Sequence, residues 1–348
     1  MNKKQSFNEH EYVITVADQD SNLTAIVAVH STALGPAHGG TRMWMYKDKD
    51  EAIEDVLRLS KAMSYKSALA GLPYGGAKGV IIQSKTAIDR GKLLKAYAEK
   101  IDKLGGLFCT GTDVGLTDED TTLMSKYTKY ILGLPKTQKT NLTTSLAASK
   151  GVFFAIKAAA KQKYGSDSLK GKTIGVKGVG KLGGGLVDLL MAEGATVVIA
   201  DIDQVKIDAL TDKYPGITIG DPQTLHMQKL HVFAPCAMGN EFDKKSISNL
   251  ACDIVAGGAN NQLSNEKAGD IIDKKGIIYI PDYVANAGGL IYVCEDLEKG
   301  GFNEKRVEKR LNNIYETVTM LLQRSKTTGL PPHRVADIIA EERIMGIK

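Results

Sequence analysis

Two lysines and an aspartate stand out as residues able to do chemistry together. Lys78 lies among glycines, in Gly75-Gly76-Ala77-Lys78-Gly79, just ahead of the apolar run Val80-Ile81-Ile82. A lysine in such a place is either a solvated loop residue or a poorly hydrated amine. Desolvation and a second nearby cation both favour the neutral form, which can act as a base near neutral pH. Lys66 ends a long amphipathic stretch in Met63-Ser64-Tyr65-Lys66, and Asp113 sits in Thr110-Gly111-Thr112-Asp113-Val114-Gly115. Taken alone, Asp113 reads more readily as a turn or capping residue than as a catalytic acid.

A second constellation lies further along the chain. Gly178-Val179-Gly180-Lys181-Leu182-Gly183 follows the strand-like Thr173 to Lys177 and opens a helical pattern, and a second strand-like run ends at Asp201. This is the dinucleotide fingerprint in its proper setting. Gly178 permits the tight turn, Gly180 lets backbone approach a pyrophosphate, and Gly183 allows close helix–strand packing. The free N–H groups and positive dipole end of the helix then face the phosphates. Asp201 is suited to accept hydrogen bonds from both ribose hydroxyls and to repel a 2′-phosphate, which favours NAD over NADP; Lys181 and Lys206 leave NADP open. The competing reading is a glycine-rich turn that binds nothing.

The elements that must position these residues follow from periodicity. Tyr12 to Val16 and Thr24 to Val29 read as strands, Asp50 to Ala70 as one long helix, Val80 to Ile82 as a buried strand after a Gly-rich turn, and Arg90 to Leu104 as a helix. Leu132 to Thr144 reads as a loop or hinge between domains. Helices are expected at Gly151 to Lys163 and Gly183 to Glu193. Strands are expected at Thr173 to Lys177, Ala195 to Ala200, His231 to Phe233, Ile254 to Ala256 and Ile277 to Ile280, and closing helices at Glu304 to Ser325 and Arg334 to Ile344. Alternating strands and helices predict a parallel sheet covered on both faces. The expected fold is α/β: an N-terminal α/β domain over 1–140, rejoined by a C-terminal helix over 326–348, and a doubly wound Rossmann-type domain over 141–325.

Composition narrows the class of protein. The chain has 348 residues, with 45 Lys+Arg against 40 Asp+Glu, a formal charge of +5. The basic residues are scattered, so a nucleic-acid partner is not expected. Hydrophobic residues make up 43% and charged residues 24%, which argues against disorder. No apolar run approaches the roughly 20 residues of a membrane span, and Met1 to Glu11 lacks the apolar core of a secretory signal. Cys109, Cys236, Cys252 and Cys294 are too widely spaced for a CxxC zinc site, and the six histidines show no ligand spacing, so no metal is expected. A cytoplasmic protein with free thiols is the simplest expectation.

Several of these segments together resemble the glutamate/leucine/phenylalanine/valine dehydrogenases, and are most similar to the leucine and phenylalanine branch. They are Leu34 to Trp44, the Lys66 helix end, Gly75 to Gly79, Asp113 to Gly115, Ala234 to Ala237, Gly258 to Leu263, Pro281 to Val284 and Asn286 to Gly289. The resemblance runs from about Ala28 to Ile344, in the family's order. It implies two domains separated by a cleft. The implied reaction is reversible, NAD-dependent oxidative deamination of an L-amino acid to the 2-oxo acid and ammonia. It implies that Lys66 binds the substrate carboxylate with help from Gly39 and Gly40, that Lys78 activates the attacking water, and that Asp113 shuttles protons at the amino group. Met63 joins the substrate site. Ala234, Pro235, Cys236, Ala259, Asn260 and Asn286 join the cofactor residues, with Asn260 toward the nicotinamide. Relatives form dimers to octamers, so a homo-oligomer is expected.

The resemblance also points to selectivity. His38 stands where apolar-amino-acid enzymes have Leu and glutamate enzymes have Lys; it is able to stack on an aromatic ring or, if charged, to pair with an acid. Gly111 opens space two residues before Asp113, and Leu290 and Val293 match apolar wall positions. An apolar wall leaves a buried carboxylate badly paired, so an apolar or aromatic substrate is expected. One segment departs from the family. Ahead of Gly151-Val152 the usual prolines are absent, and the Thr expected at the nicotinamide amide aligns with Ala148, leaving Thr144, Ser145 or Ser149 as substitutes. That departure motivates an alternative, an impaired protein that binds NAD or an amino acid without turnover. A Schiff-base enzyme using Lys78 as nucleophile ranks last, since no phosphate or pyridoxal site accompanies it.

Overall fold

The computed structural model describes residues 9–84, 89–134 and 140–347. Contacts divide the chain into two compact units: the described residues of Met1–Lys139 with Val293–Phe302 and Ala340–Lys348, and Thr140–Tyr292 with Asn303–Ile339. This differs from the expected domain limits at two places. Val293–Phe302 belongs with the first unit, and residues 326–339 stay with the second. The hinge expected over Leu132 to Thr144 lies partly outside the described residues, since 135–139 are not among them.

The first unit is built on a six-stranded sheet of β1 (Tyr12–Asp18), β2 (Leu23–Ser31), β3 (Ala37–His38), β4 (Thr41–Trp44), β5 (Gly75–Ile82) and β6 (Phe108–Cys109). β1, β2 and β5 pair antiparallel, whereas β3 and β4 both run parallel to β5 and β3 runs parallel to β6. β3 and β4 follow one line, parted at Gly39-Gly40. Buried residues cover both faces of the sheet. On one face Ala25, Val27, Val29 and Ile81 meet Leu93, Leu94, Tyr97 and Ile101 of the helix Arg90–Asp102. On the other, Ile26, Ala28 and Val80 meet Ala52, Val56 and Leu57 of the helix Lys49–Leu69. That helix starts where the Asp48 side chain accepts the Glu51 N–H, with Asp50 and Glu51 in its first turn.

The Gly-rich segment before Val80 is not a turn. β5 already begins at Gly75, so Lys78 stands in the middle of a strand flanked by β2 on one side and by β3 and β4 on the other. The glycines are there because neighbours come too close for a side chain. A Cβ on Gly76 would stand 2.0 Å from the Ser64 nitrogen, and one on Gly79 would stand 2.3 Å from the Tyr97 hydroxyl.

The second unit carries β7 (Thr173–Lys177), β8 (Thr196–Ala200), β9 (Thr218–Ile219), β10 (Leu230–Pro235), β11 (Cys252–Val255) and β12 (Ile278–Tyr279). All pairs are parallel, in the spatial order β9-β8-β7-β10-β11-β12. This is the doubly wound dinucleotide-binding topology, with the strand order reversing between β7 and β10. The short, exposed edge strand β9 and the helix Gln204–Lys213 were not expected from the sequence.

The helix expected from Gly151 in fact runs from Thr144 to Tyr164, capped by the Thr143 side chain accepting the Leu146 N–H and ended by Gly165 at φ +76°. The segment Thr144 to Ser149, read as a loop, is its first turns. Gly151 looks like a helix breaker but serves packing: a Cβ there would stand 2.8 Å from the Ala285 carbonyl oxygen. Among the described residues no helix is long and apolar enough to cross a membrane, and no cluster of three or more His, Cys, Asp or Glu is arranged to hold a metal.

Candidate active site and dinucleotide site

In the first unit the expected catalytic pair meets directly. Lys78 Nζ lies 3.1 Å from Asp113 Oδ2. β5 carries the lysine, which is only 6% exposed. The loop after β6 carries the aspartate, and it is pinned to the β3–β4 line by backbone bonds. The Gly39, Thr41 and Met43 N–H groups donate to the carbonyls of Cys109, Gly111 and Val114 at 3.1, 3.0 and 2.9 Å. Beneath them the Thr41 hydroxyl lies 2.7 Å from both the Tyr97 and Thr110 hydroxyls.

The electrostatics of the pair have opposite origins. Burial pushes the Lys78 amine below its usual range, against the pull of Asp113; Arg42 pushes it the same way as burial. Burial alone would raise Asp113, but Lys78 and Arg42 together hold its carboxyl below the ordinary value. The site therefore holds an ionised acceptor against an amine that releases its proton more readily than a surface lysine.

Arg42 was not singled out from the sequence, although it lies in the quoted Gly39-Gly40-Thr41-Arg42 run. Its Nε lies 3.1 Å from Asp113 Oδ2 and its Nη1 2.8 Å from Asp55 Oδ2. Tyr46 donates its hydroxyl to Asp55 Oδ2 at 2.8 Å, and burial raises the Tyr46 phenol. No spacing signal connects residues 42, 55 and 113, because a strand, a helix and a loop bring them together only in the folded unit.

The other expected substrate residues fall as follows. Gly39 and Gly40 lie at the parting of β3 and β4, where Cβ atoms would stand 1.9 Å from the Ala77 oxygen and 2.5 Å from the Thr112 oxygen. Met63 comes against Gly39, its Cγ 3.3 Å from the place of a Cβ there. Lys66 stands one turn further on the same helix, partly exposed. Gly111 has a backbone reason of its own, since its Cβ would stand 2.9 Å from the Leu132 oxygen. Leu290 and Val293 share the helix Gly288–Cys294, but the division between units falls inside it, placing Leu290 in the second unit and Val293 in the first.

His38 is buried, 1% exposed, with its ring edge-on to Tyr74 at 5.8 Å. Its Nε2 lies 3.1 Å from Ser67 Oγ and 3.3 Å from Cys294 Sγ. Burial lowers its pKa to about 4, so it is neutral near pH 7. In the structure it is a neutral ring beside Ser67, Tyr74 and Cys294.

In the second unit Gly178 has φ +91°, a backbone conformation suited to glycine. A Cβ on Gly183 would stand 1.9 Å from the Gly178 oxygen, whereas a Cβ on Gly180 would meet nothing within 4 Å. Gly180 precedes the helix Lys181–Ala192 without any side-chain cap, so the first N–H groups there are uncapped. Leu182 packs on Gly258, where a Cβ would stand 2.4 Å from Leu182 Cδ2. Asp201 directly follows β8, its Oδ2 accepting from the Val179 N–H at 2.7 Å and its Oδ1 from the Asp203 N–H at 2.9 Å.

The end of β10 brings Ala234, Pro235 and Cys236 beside the glycine turn. The Cys236 N–H donates to the Lys177 oxygen at 2.7 Å, and burial pushes its thiol up to about 12. The Ala259 N–H donates to the Pro235 oxygen at 3.0 Å. Asn286 Nδ2 donates to the Gly258 oxygen at 3.2 Å and to Asn260 Oδ1 at 2.7 Å. The Oδ1 of Asn286 is buried without a hydrogen-bond partner. That orphaned acceptor, the uncapped helix end and the clearance at Gly180 are what a dinucleotide requires of its host. Ser149, by contrast, is fully buried, its hydroxyl within donating reach of the Ser145 and Leu182 carbonyls at 2.9 and 2.7 Å.

One unit carries a doubly wound parallel sheet and the other a buried Lys78–Asp113 pair. The chain belongs to the glutamate/leucine/phenylalanine/valine dehydrogenase family. The family's dimerisation-domain model matches residues 8–130 and its glutamate/leucine/phenylalanine/valine dehydrogenase model matches residues 200–347. Members of this family are dehydrogenases that use a nicotinamide cofactor. The chain is 39% identical over 340 residues to a leucine dehydrogenase of Bacillus cereus, covering 98% of this chain and 92% of that one. It is 39% identical over 337 residues to a valine dehydrogenase of Streptomyces virginiae, covering 96% and 94%. The crystal structure of L-tryptophan dehydrogenase from Nostoc punctiforme matches with a TM-score of 0.88 at 36% identity, covering 99% of this chain and 98% of that one.

Proposed function

We propose that the chain catalyses the NAD-dependent, reversible oxidative deamination of an apolar or aromatic L-amino acid to its 2-oxo acid and ammonia. The observation that carries this reading is the buried Lys78 amine held 3.1 Å from Asp113. A bound nicotinamide supplies the hydride acceptor for the substrate Cα. Lys66, one turn beyond Met63 on the same helix, provides the cation for the α-carboxylate, with the Gly39-Gly40 backbone assisting. Lys78, pushed toward the neutral amine, takes a proton from the water that adds to the imino carbon. Asp113, kept ionised, accepts and returns the proton at the substrate nitrogen.

The choice of NAD over NADP rests on Asp201, whose carboxylate directly follows β8 beside the glycine turn. The preference for an apolar or aromatic side chain is supported by the neutral His38, by Val293, and by relatives that are leucine, valine and tryptophan dehydrogenases. A homo-oligomer is part of the proposal, and the name of the model that matches residues 8–130 supports it. A cytoplasmic location is part of it as well, consistent with four free cysteines.

A second reading has its own observation. Ala148 lacks the hydroxyl that the family places there, and the Ser149 hydroxyl is within donating reach of two carbonyls. On that reading the chain binds its ligands without turning them over. The deciding experiment mixes the purified protein with NAD and L-leucine, valine, phenylalanine, tryptophan or glutamate at alkaline pH and follows NADH. Turnover strongest with one apolar or aromatic substrate is the expected result. NAD binding without NADH from any amino acid would establish the second reading instead.

A further inference from the structure

We propose that Arg42 is a positioning residue of the deamination site: its guanidinium fixes the Asp113 carboxylate against Lys78 and ties both to the helix that bears Met63 and Lys66. This rests on the reading given under Proposed function. Arg42 meets Asp113 through Nε at 3.1 Å and Asp55 through Nη1 at 2.8 Å. Both cations, Arg42 and Lys78, meet the same oxygen of Asp113, Oδ2. Oδ1 is then the oxygen left for the substrate nitrogen. Asp55 belongs to the helix Lys49–Leu69, and the Tyr46 hydroxyl and the Arg58 guanidinium hold it from two further directions, each at 2.8 Å.

Three elements therefore converge on one planar side chain: β4 with Arg42, the helix with Asp55, and the loop after β6 with Asp113. A guanidinium presents several donors in a rigid plane and so spans two carboxylates; an ammonium is a single point charge. Arg42 is 80% covered, its side chain only 20% exposed, so the bridge is not a surface pair of negligible worth.

The charges facing Lys78 are Asp113 from the loop, Arg42 from β4 and Asp55 from the helix, while β2 presents Ala28 opposite it. The groups facing Asp113 are Lys78 and Arg42. Taking the Arg42 charge away leaves Lys78 with one cation fewer beside it and Asp113 with one partner fewer. Both groups then hold their protons to higher pH.

The test uses the full chain with its best amino-acid substrate and compares wild type, Arg42→Gln and Arg42→Lys. Arg42→Gln is expected to lower kcat on the order of 100-fold, as for a displaced catalytic group. It is also expected to move both limbs of the pH profile of kcat/KM alkaline by roughly half a unit or more. Arg42→Lys is expected to restore the limbs but to recover only part of kcat. Arg42→Gln with wild-type kcat and limbs, or a kcat loss with unmoved limbs and no recovery in Arg42→Lys, would overturn the proposal and leave the dehydrogenase reading intact. Should Arg42→Gln not fold, Arg42→Lys still decides: wild-type kcat in that variant overturns the bridge. A wild-type protein inactive on every amino acid overturns the deamination reading, and this proposal with it.

Discussion

His38 Nε2 and Cys294 Sγ lie 3.3 Å apart although 256 positions separate them in the chain. Both are buried, at 1% and 0% exposure, and both belong to the first unit. Among the described residues no acid favours its charged form, and burial lowers its pKa from 6.5 to about 4.

That placement makes His38 a source of acid sensitivity. Its folded pKa lies below the unfolded value, so the unfolded chain binds the extra proton first. The stability tied to neutral His38 is fully present above pH 6.5 and is lost as pH falls toward 4. The loss amounts to about 3 kcal/mol once both states are protonated. Urea midpoints at pH 7 and pH 4.5 should fall further apart in wild type than in His38→Leu. Equal differences in the two proteins would show that His38 carries no such linkage.

Lys78→Ala should abolish turnover by a factor on the order of 10³ or more, since it removes the proposed base. NAD binding should persist, because the glycine turn and Asp201 belong to the other unit. Steady-state rates and calorimetric titration with NAD check the two halves separately. A Lys78→Ala variant that still turns over would reassign the base.

Two glycines of one motif should respond differently to the same substitution. Gly180→Ala puts a methyl where nothing lies within 4 Å, so the melting temperature should stay near wild type while NAD affinity falls about tenfold or more. Gly183→Ala puts a methyl 1.9 Å from the Gly178 oxygen, so the fold itself should lose stability. Thermal melts with and without NAD separate the cases; equal losses of melting temperature would contradict them.

Asp201→Ala should raise the KM for NAD and lower the NAD-to-NADP preference by about tenfold or more, if the carboxylate receives the ribose and repels a 2′-phosphate as proposed. The variant also releases the Val179 and Asp203 N–H groups that Asp201 now holds. Kinetics with both cofactors measure the ratio, and an unchanged ratio would remove Asp201 as the discriminator.

What the sequence disclosed follows local physics. The strand–turn–helix around Gly178 to Gly183 was legible because its signals lie within thirty residues and each has a backbone reason. The long helix ending near Lys66 was legible from its apolar spacing, and its observed limits, Lys49–Leu69, lie one residue from those expected at each end. Glycines misled where they mark close approach rather than bending. Gly75 to Gly79 form part of a strand and Gly151 sits inside a helix, because what crowds them comes from other elements. Arg42 was illegible for the same reason. Its partners, Asp55 and Asp113, are 13 and 71 positions away, and only the packing of a helix and a loop against the sheet brings them within reach.

The first unit is closed by the chain's own late return. Besides His38 and Cys294, the Tyr65 hydroxyl donates to Glu341 Oε1 at 2.5 Å, and Arg343 Nη1 donates to the Ala68 carbonyl at 2.7 Å, both at the end of the helix that bears Lys66. During synthesis the ribosome must deliver these last residues before that helix end acquires its native neighbours. The six strands of the doubly wound sheet, by contrast, all lie in one uninterrupted stretch, Thr140–Tyr292. Chain order thus sets a schedule: all the strands of the doubly wound sheet are synthesised before the residues that fasten the end of the lysine-bearing helix.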